Sequence, residues 1–368
     1  MRGLYIHIPF CIKKCRYCDF YSLPARLDAI EGYVKAVVQE ARSYAGLSFQ
    51  TLYLGGGTPS LLGAEHFRNL VGGIGKSLDI SELVEATIEV NPESATREFL
   101  EAVRDTGINR VSFGVQSLVD SELQSVGRIH TAAQAITAIK LAKNLDFRAI
   151  SADLIIGLPG QTWATLRRSL ETLAGLDVEH LSVYCLSLEE GTPLAECPPH
   201  DLISDDQQAG LFEKSGALLT GYGFTHYEIS NFAIKGYECR HNLNYWHGGE
   251  YLGLGPAAAS HLYGKRFKNQ ANLEAYLANP TAQMENIEEL DAKDKAAEEA
   301  MLRLRLLGEG IDLDELSSRF GGDNVKNLEN QLDCMAGEGL LIFENSRYRL
   351  TPSRILTSNP IFARVISA

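Results

Sequence analysis

Six short strand-like runs, each followed by a segment with helical spacing, fill the first two thirds of the chain and leave few folds open to it. They are LYIHIPF (4–10), TLYLGGG (51–57), ATIEVNP (86–92), RVSFGVQS (110–117), AISADLIIGLP (149–159) and HLSVYCLSLE (180–189). Each is rich in Val, Ile, Leu or Tyr and bounded by Gly, Pro or polar residues. Between them, patterns such as DAIEGYVKAVVQEARSY place Ile30, Tyr33, Val34, Val37, Val38 and Ala41 on one helix face. Successive βα units require a parallel sheet with helices packed outside it. An open doubly wound sheet and a barrel both meet that requirement. Polar residues and glycines separate them: Cys11, Gly57, Thr58, Glu89, Asn91 and Gln116 sit at or just past the C-terminal ends of their strands. Asp153 and Glu189 lie on, or just beyond, the fifth and sixth strands. In a barrel, that edge is where loops build the active site. The spacing therefore predicts an α/β fold, a partial (βα)6 TIM-like barrel around one site.

Near residue 236 the pattern changes, which divides the chain into a barrel at 1–235 and a smaller C-terminal unit at 236–368. YECRHNLNYWHGGEYLGLGPAAAS reads as loop and short strands. Three helical stretches and a closing hairpin (LLIFEN, RYRLTP) then predict an α+β, winged-helix-like module. A net charge of −13 disfavours phosphate-backbone binding, so no nucleic-acid partner is expected and the module reads as a packing or protein-contact unit. No run approaches the roughly 18 apolar residues of a membrane span. Nor does a basic-then-apolar leader precede the first strand, so a cytoplasmic location is expected, with peripheral membrane contact left open. Seven unevenly spaced cysteines fit a reducing compartment and a metal or catalytic role better than disulfides.

Three of those cysteines lie within HIPFCIKKCRYCDF (7–20), at C-x3-C-x2-C spacing. A structural zinc wants four ligands, usually as two short pairs. The loop after Cys18 offers no fourth cysteine or histidine, and His7 lies on the strand. Buried thiols or zinc stay open as bland readings. Iron–sulfur cubanes normally take four cysteines, so three would leave one iron free to coordinate a substrate or cofactor.

C-x3-C-x2-C with an aromatic, Tyr17, before the last cysteine resembles the radical S-adenosylmethionine (SAM) superfamily. The resemblance implies a [4Fe-4S] cluster on Cys11, Cys15 and Cys18, with SAM chelated at the open iron and cleaved by an electron from the cluster. GGGTPS (55–60) then corresponds to the family's motif for the methionine amine, where glycines let the backbone approach a ligand closely. YIHIPFC, CDF, GGGTPSLL, EVNPE, GVQS, GRIH, DLIIGLPGQT and HNLNYW together resemble the oxygen-independent coproporphyrinogen III oxidase branch, over most of residues 4–260. That implies Tyr5 and Tyr17 lining the SAM pocket and Gly56, Gly57 and Thr58 at its methionine end. It also implies Glu89, Gln116, Arg128 and Asp153 in contact with SAM.

Within the branch, the true oxidase carries a further cysteine two residues after the third and a longer N-terminal extension. Here position 20 is Phe, and four residues precede Tyr5. Both features resemble instead the HemW group of haem chaperones, which implies haem as cargo and a haem-accepting protein as partner. In HNLNYW (241–246), His241 offers an imidazole for axial iron ligation, and Tyr245 and Trp246 offer flat apolar area. His247 and His261 compete as ligands. Oxidative decarboxylation of coproporphyrinogen propionates is the alternative activity.

Overall fold

A computed structural model describes every residue except 25, 283 and 368. Six parallel strands follow one another across the sheet in chain order: β1 (Arg2–Ile8), β2 (Thr51–Gly56), β3 (Glu85–Val90), β4 (Arg110–Gln116), β5 (Ala149–Ile156) and β6 (His180–Cys185). Beyond β6 lie the short antiparallel strands β7 (Thr225–Glu228) and β8 (Asn231–Ala233). At the other edge β9 (Glu250–Leu254) runs parallel to β1, with Arg2 opposite Glu250. It leads into an antiparallel meander of β10 (Ala259–Leu262), β11 (Lys265–Asn269) and β12 (Met284–Glu289). The order is β12-β11-β10-β9-β1-β2-β3-β4-β5-β6-β8-β7, one open sheet of twelve strands. This is the expected partial barrel, and its sheet continues past residue 235.

Period-two alternation explains how the wall is built. Leu4, Ile6, Leu52, Leu54, Ile88, Val90, Val111, Phe113, Ile150, Ala152, Leu181 and Val183 belong to one continuous buried core with the outer helices. The intervening residues are polar and face one another: Tyr53 donates to Glu89 across β2 and β3, and Ser112 to Asp153 across β4 and β5. A barrel with an apolar skin and a polar interior can hold a charged ligand.

The helices are α1 (Ile30–Arg42), α2 (Gly63–Ile74), α3 (Arg97–Asp105), α4 (Ala132–Asn144), α5 (Trp163–Gly175) and α6 (Asp205–Gly221). Thr131, Thr162 and Ser204 start the last three with reciprocal capping boxes. One residue on the buried face of α1 is charged. Glu40 accepts from Gly255 N (2.9 Å), Asn269 Nδ2 (2.6 Å) and Tyr276 OH (2.5 Å), tying α1 to the meander. Burial pushes its carboxyl up to about 7.

Helix α7 (Arg240–Trp246) closes the barrel's lower end, where the strands begin. Glu85, the first residue of β3, accepts from the backbone N–H groups of Arg240 (3.1 Å) and His241 (3.0 Å). A carboxylate on the first N–H groups of a helix satisfies donors that have no partner within it. After α8 (Leu273–Ala278) come α9 (Ala292–Arg303), α10 (Leu313–Phe320), α11 (Gly322–Gly337) and α12 (Asn359–Ile366). A three-stranded sheet of β13 (Ile311–Asp312), β15 (Arg347–Leu350) and β14 (Leu341–Glu344) completes the C-terminal module. Its separate core includes Ala296, Ala300, Leu316, Leu328, Leu332 and Tyr348, and Arg303 joins Glu299 to Glu315 across α9 and α10.

Candidate functional site

The cysteine loop leaves β1 and is held from three sides. Arg16 N donates to Val126 O (3.0 Å), its guanidinium donates to Ser125 O (3.1 Å), and its own carbonyl accepts from Leu194 N (2.9 Å). Tyr17 packs with Val126, Ile155, Leu158, Leu186 and Leu194, which explains the aromatic before the last cysteine as an anchor for the loop. Cys18 N donates to Cys15 O (3.2 Å), a tight turn that keeps the two thiols near each other. Burial raises the Cys11 and Cys18 thiols above their ordinary range. All seven cysteines are free.

The glycine loop after β2 closes on that loop from the side. Gly57 N donates to Ile8 O and Thr58 N to Phe10 O, both at 2.7 Å. A Cβ on Gly57 would lie 2.6 Å from Phe10 O, so only glycine permits this approach. The Thr58 hydroxyl lies 3.7 Å from Cys11 Sγ and accepts from Asn91 Nδ2 at 2.9 Å. Arg128 then continues the chain of contacts, donating to Asn91 Oδ1 (2.8 Å), Gly114 O (2.6 Å) and, at 3.6 Å, to Cys15 Sγ. One polar network thus runs from Cys11 through Thr58, Asn91 and Arg128 to Cys15.

Below it lie two carboxyls. Glu89 accepts from Tyr53 OH (2.8 Å) and Gly56 N (3.3 Å). Burial, with Asp153 nearby, pushes Glu89 up to about 7, and burial also raises Asp153. Gln116 has a left-handed backbone (φ 63°) where the β4–β5 register slips, a bulge that re-aims the end of β4 at the cavity.

These groups enclose a cavity of about 370 Å3. Cys11, Cys15, Tyr17, Cys18, Gly56, Gly57, Thr58, Glu89, Gln116, Arg128 and Asp153 all line it. Among the described residues no three His, Cys, Asp or Glu side chains surround a single metal-ion position. A cubane does not need that, because each thiolate takes a different iron. Two observations fit a cationic ligand bearing a carboxylate and hydroxyls. Arg128 Nε is buried without a partner, and neither Glu89 nor Asp153 pairs with a cation at hydrogen-bond distance among the described residues. SAM is such a ligand, so the residues present fit it.

The structure does not bring Tyr5 or His241 to this cavity. Tyr5 lies lower on β1, its hydroxyl 3.0 Å from His7 Nδ1, on a neighbouring cavity of about 890 Å3. His241 sits in the lower plug, 1% exposed, with Nδ1 2.9 Å from Thr51 Oγ1 and Nε2 2.8 Å from Tyr245 OH. Burial lowers its imidazole to about 3. With both ring nitrogens engaged, His241 presents no lone pair to either cavity. His247 is engaged too, 2.7 Å from Glu309. Missing from the predicted set are Gly114 and Tyr184, which line the cavity as well, while Asn91, expected at the barrel's working edge, joins Thr58 to Arg128 there. A Cβ on Gly114 would meet Asn91 at 3.0 Å and Arg128 at 3.2 Å. Its place two residues before Gln116, on the same strand face, was the signal available.

Residues 5–173 match the family model of the radical SAM superfamily, and residues 290–355 match that of the HemN C-terminal domain. The chain is 33% identical to the heme chaperone HemW of Lactococcus lactis subsp. lactis (strain IL1403), over 98% of this chain and 96% of that one. It is also 33% identical to the heme chaperone HemW of Bacillus subtilis (strain 168), covering 98% of each. Among solved structures, the coproporphyrinogen III oxidase HemN of Escherichia coli, a radical SAM enzyme, superposes with a TM-score of 0.85 at 22% identity, over 100% of this chain and 89% of that one. That likeness concerns the fold. Taken with the near full-length relatives, the motifs and the barrel place the chain in the radical SAM superfamily, as a HemW-like member with a HemN C-terminal domain.

Proposed function

We propose that this protein is a haem carrier, which takes up haem and passes it to an acceptor protein, and which keeps a SAM-binding [4Fe-4S] site in its barrel. The observation that carries the reading is Phe20. It stands where the oxidase resemblance expects another cysteine, is 64% exposed, and lines both the cysteine cavity and the larger cavity beside it. The names of the near full-length relatives support the same reading.

When bound, the cluster supplies an electron and one iron without a cysteine ligand. The chain's own residues do the rest. Cys11, Cys15 and Cys18 hold the cluster, Gly56, Gly57 and Thr58 receive the methionine amine, and Arg128 receives the carboxylate. Glu89 and Asp153 take ribose hydroxyls or offset the sulfonium charge, and Gln116 closes the side of the cavity. Tyr17 holds the cysteine loop down and excludes water from its base.

The experiment has two arms, both on anaerobically purified protein reconstituted with iron and sulfide. One arm receives coproporphyrinogen III, SAM and reductant; the other receives haemin and then a haem-depleted acceptor. The carrier reading expects haem uptake and transfer with no decarboxylated porphyrin. Vinyl-bearing product with stoichiometric SAM consumption would overturn it and make the chain an oxidase.

A further inference from the structure

HNLNYW does not present its histidine, yet the cavity it borders is large enough for a flat macrocycle. At about 890 Å3 it falls in the roughly 300–1,000 Å3 range of ligand pockets. Its floor is the face of the sheet formed by β1, β9, β10 and β11, and its roof includes residues of α9 and α10. Register aligns the floor. Tyr251 is opposite His261, His261 opposite Arg266, and Ala259 opposite Lys268. Ala257, Ala259 and Gly264 leave the floor low, while Tyr5, Tyr245, Tyr251, Trp246 and Phe20 rise around it. A shallow sheet face walled by aromatics suits a planar apolar ring.

His261 differs from the other histidines nearby. His7 has both ring nitrogens engaged, by Tyr5 OH (3.0 Å) and Tyr21 O (2.8 Å). His261 lines the cavity, packs edge-on to Tyr251 at 6.2 Å, and has no hydrogen bond from either ring nitrogen among the described residues. A neutral imidazole whose ring nitrogens are not committed to the protein keeps a lone pair for a metal. Charge is paired in part, with Asp19 and Glu288 also on the lining and in no ion pair among the described residues. Arg266 pairs with Glu298 and Arg319 with Glu299, and Glu250 is held by Arg2. Lys268 and Lys295 line the cavity with no ion pair among the described residues.

We propose that this cavity is the tetrapyrrole site, with His261 as the axial iron ligand and Lys268 and Lys295 receiving the two propionates. The inference rests on the haem-carrier reading and adds the place and the ligand. In this arrangement Tyr245 and Trp246 serve as wall, and His241 positions Tyr245 from behind. Asp19 and Phe20 line both cavities, so the cysteine loop forms part of the haem wall.

The test titrates haemin and, separately, iron-free protoporphyrin IX into the reconstituted full chain. It compares wild type with His261→Gly, His247→Ala and the double variant Lys268→Ala/Lys295→Ala. Wild type and His247→Ala are expected to give the same histidine-ligated haem spectrum. His261→Gly should lose that spectrum and bind haemin about tenfold or more weakly. Added imidazole should restore the spectrum, which a misfolded variant would not allow. Protoporphyrin IX should bind His261→Gly as it binds wild type, and the double lysine variant about fivefold more weakly. A His261→Gly protein with the wild-type spectrum and affinity would overturn the ligand. Unchanged porphyrin affinity in the lysine variant would overturn the clamp. A wild type that binds protoporphyrin but no haemin would also overturn the ligand, and one that binds neither would remove the haem-carrier reading itself.

Discussion

Glu89 sets a conflict between stability and binding. Its carboxyl is raised from an ordinary 4.5 to about 7 by burial, so between those values the folded chain binds more protons than the unfolded one. Its contribution to stability is therefore present below 4.5 and is lost as pH rises through about 7. Glu89→Gln removes that loss. At pH 8 the unliganded variant is expected to be more stable than wild type, on the order of 1–3 kcal/mol, with the difference shrinking at pH 5. Urea unfolding at the two pH values measures it, and parallel shifts at both would refute the mechanism. The same variant should bind SAM at least about tenfold more weakly at pH 8, where wild-type Glu89 is ionised. Glu89 could be picked out in the sequence because it sits at the C-terminal end of a strand, on the barrel's working edge. Its neighbour in chemistry, Arg128, was legible only through the family motif, since nothing local tells that a guanidinium will reach Cys15 across the cavity.

The glycine loop and the lower plug make opposite demands on the barrel's two ends. Gly57 presses the backbone of β2's loop against Phe10, and a methyl group there meets a carbonyl that cannot move without moving Cys11. Gly57→Ala is expected to lose most of its cluster, read as iron per chain after reconstitution. Gly210→Ala, in helix α6 with nothing within 4 Å of the new methyl, should load fully and gain about 0.5–1 kcal/mol from helix propensity. Equal iron in both would show that the glycine loop does not fix the cysteine loop. At the lower end, His241→Ala leaves Thr51 and Tyr245 without their shared partner and opens space under α7. It should cost about 2 kcal/mol of stability while leaving the haem spectrum of the folded fraction unchanged. A spectrum lost with no change in stability would reinstate His241 as the ligand. The six strands and their helices were readable from periodicity because each is a local pattern. Which end of the barrel receives HNLNYW was not. That depends on Glu85 and Thr51, residues far away in sequence whose role is set only when the strands align.

Across the whole molecule, the barrel is completed by chain that follows the change in composition near residue 236. β9 pairs with β1, and Glu40 ties α1 to Gly255, Asn269 and Tyr276. Such pairings join residues more than 200 positions apart, and no window of sequence contains them. Glu40 itself reads as one more polar residue on an amphipathic helix until its three donors are seen. The consequence is a second cavity, walled by the cysteine loop, the meander and the C-terminal module, beside the one that the cysteine motif announces. If the proposed sites are right, the two cavities hold different ligands in one chain. The most direct test loads anaerobically reconstituted protein with haemin, passes it through a gel-filtration column, and counts haem and iron–sulfur cluster per chain in the same fraction. One haem together with one intact [4Fe-4S] cluster is the predicted result. Haem retained only where the cluster has been lost would contradict the account, because it would place both ligands in a single site.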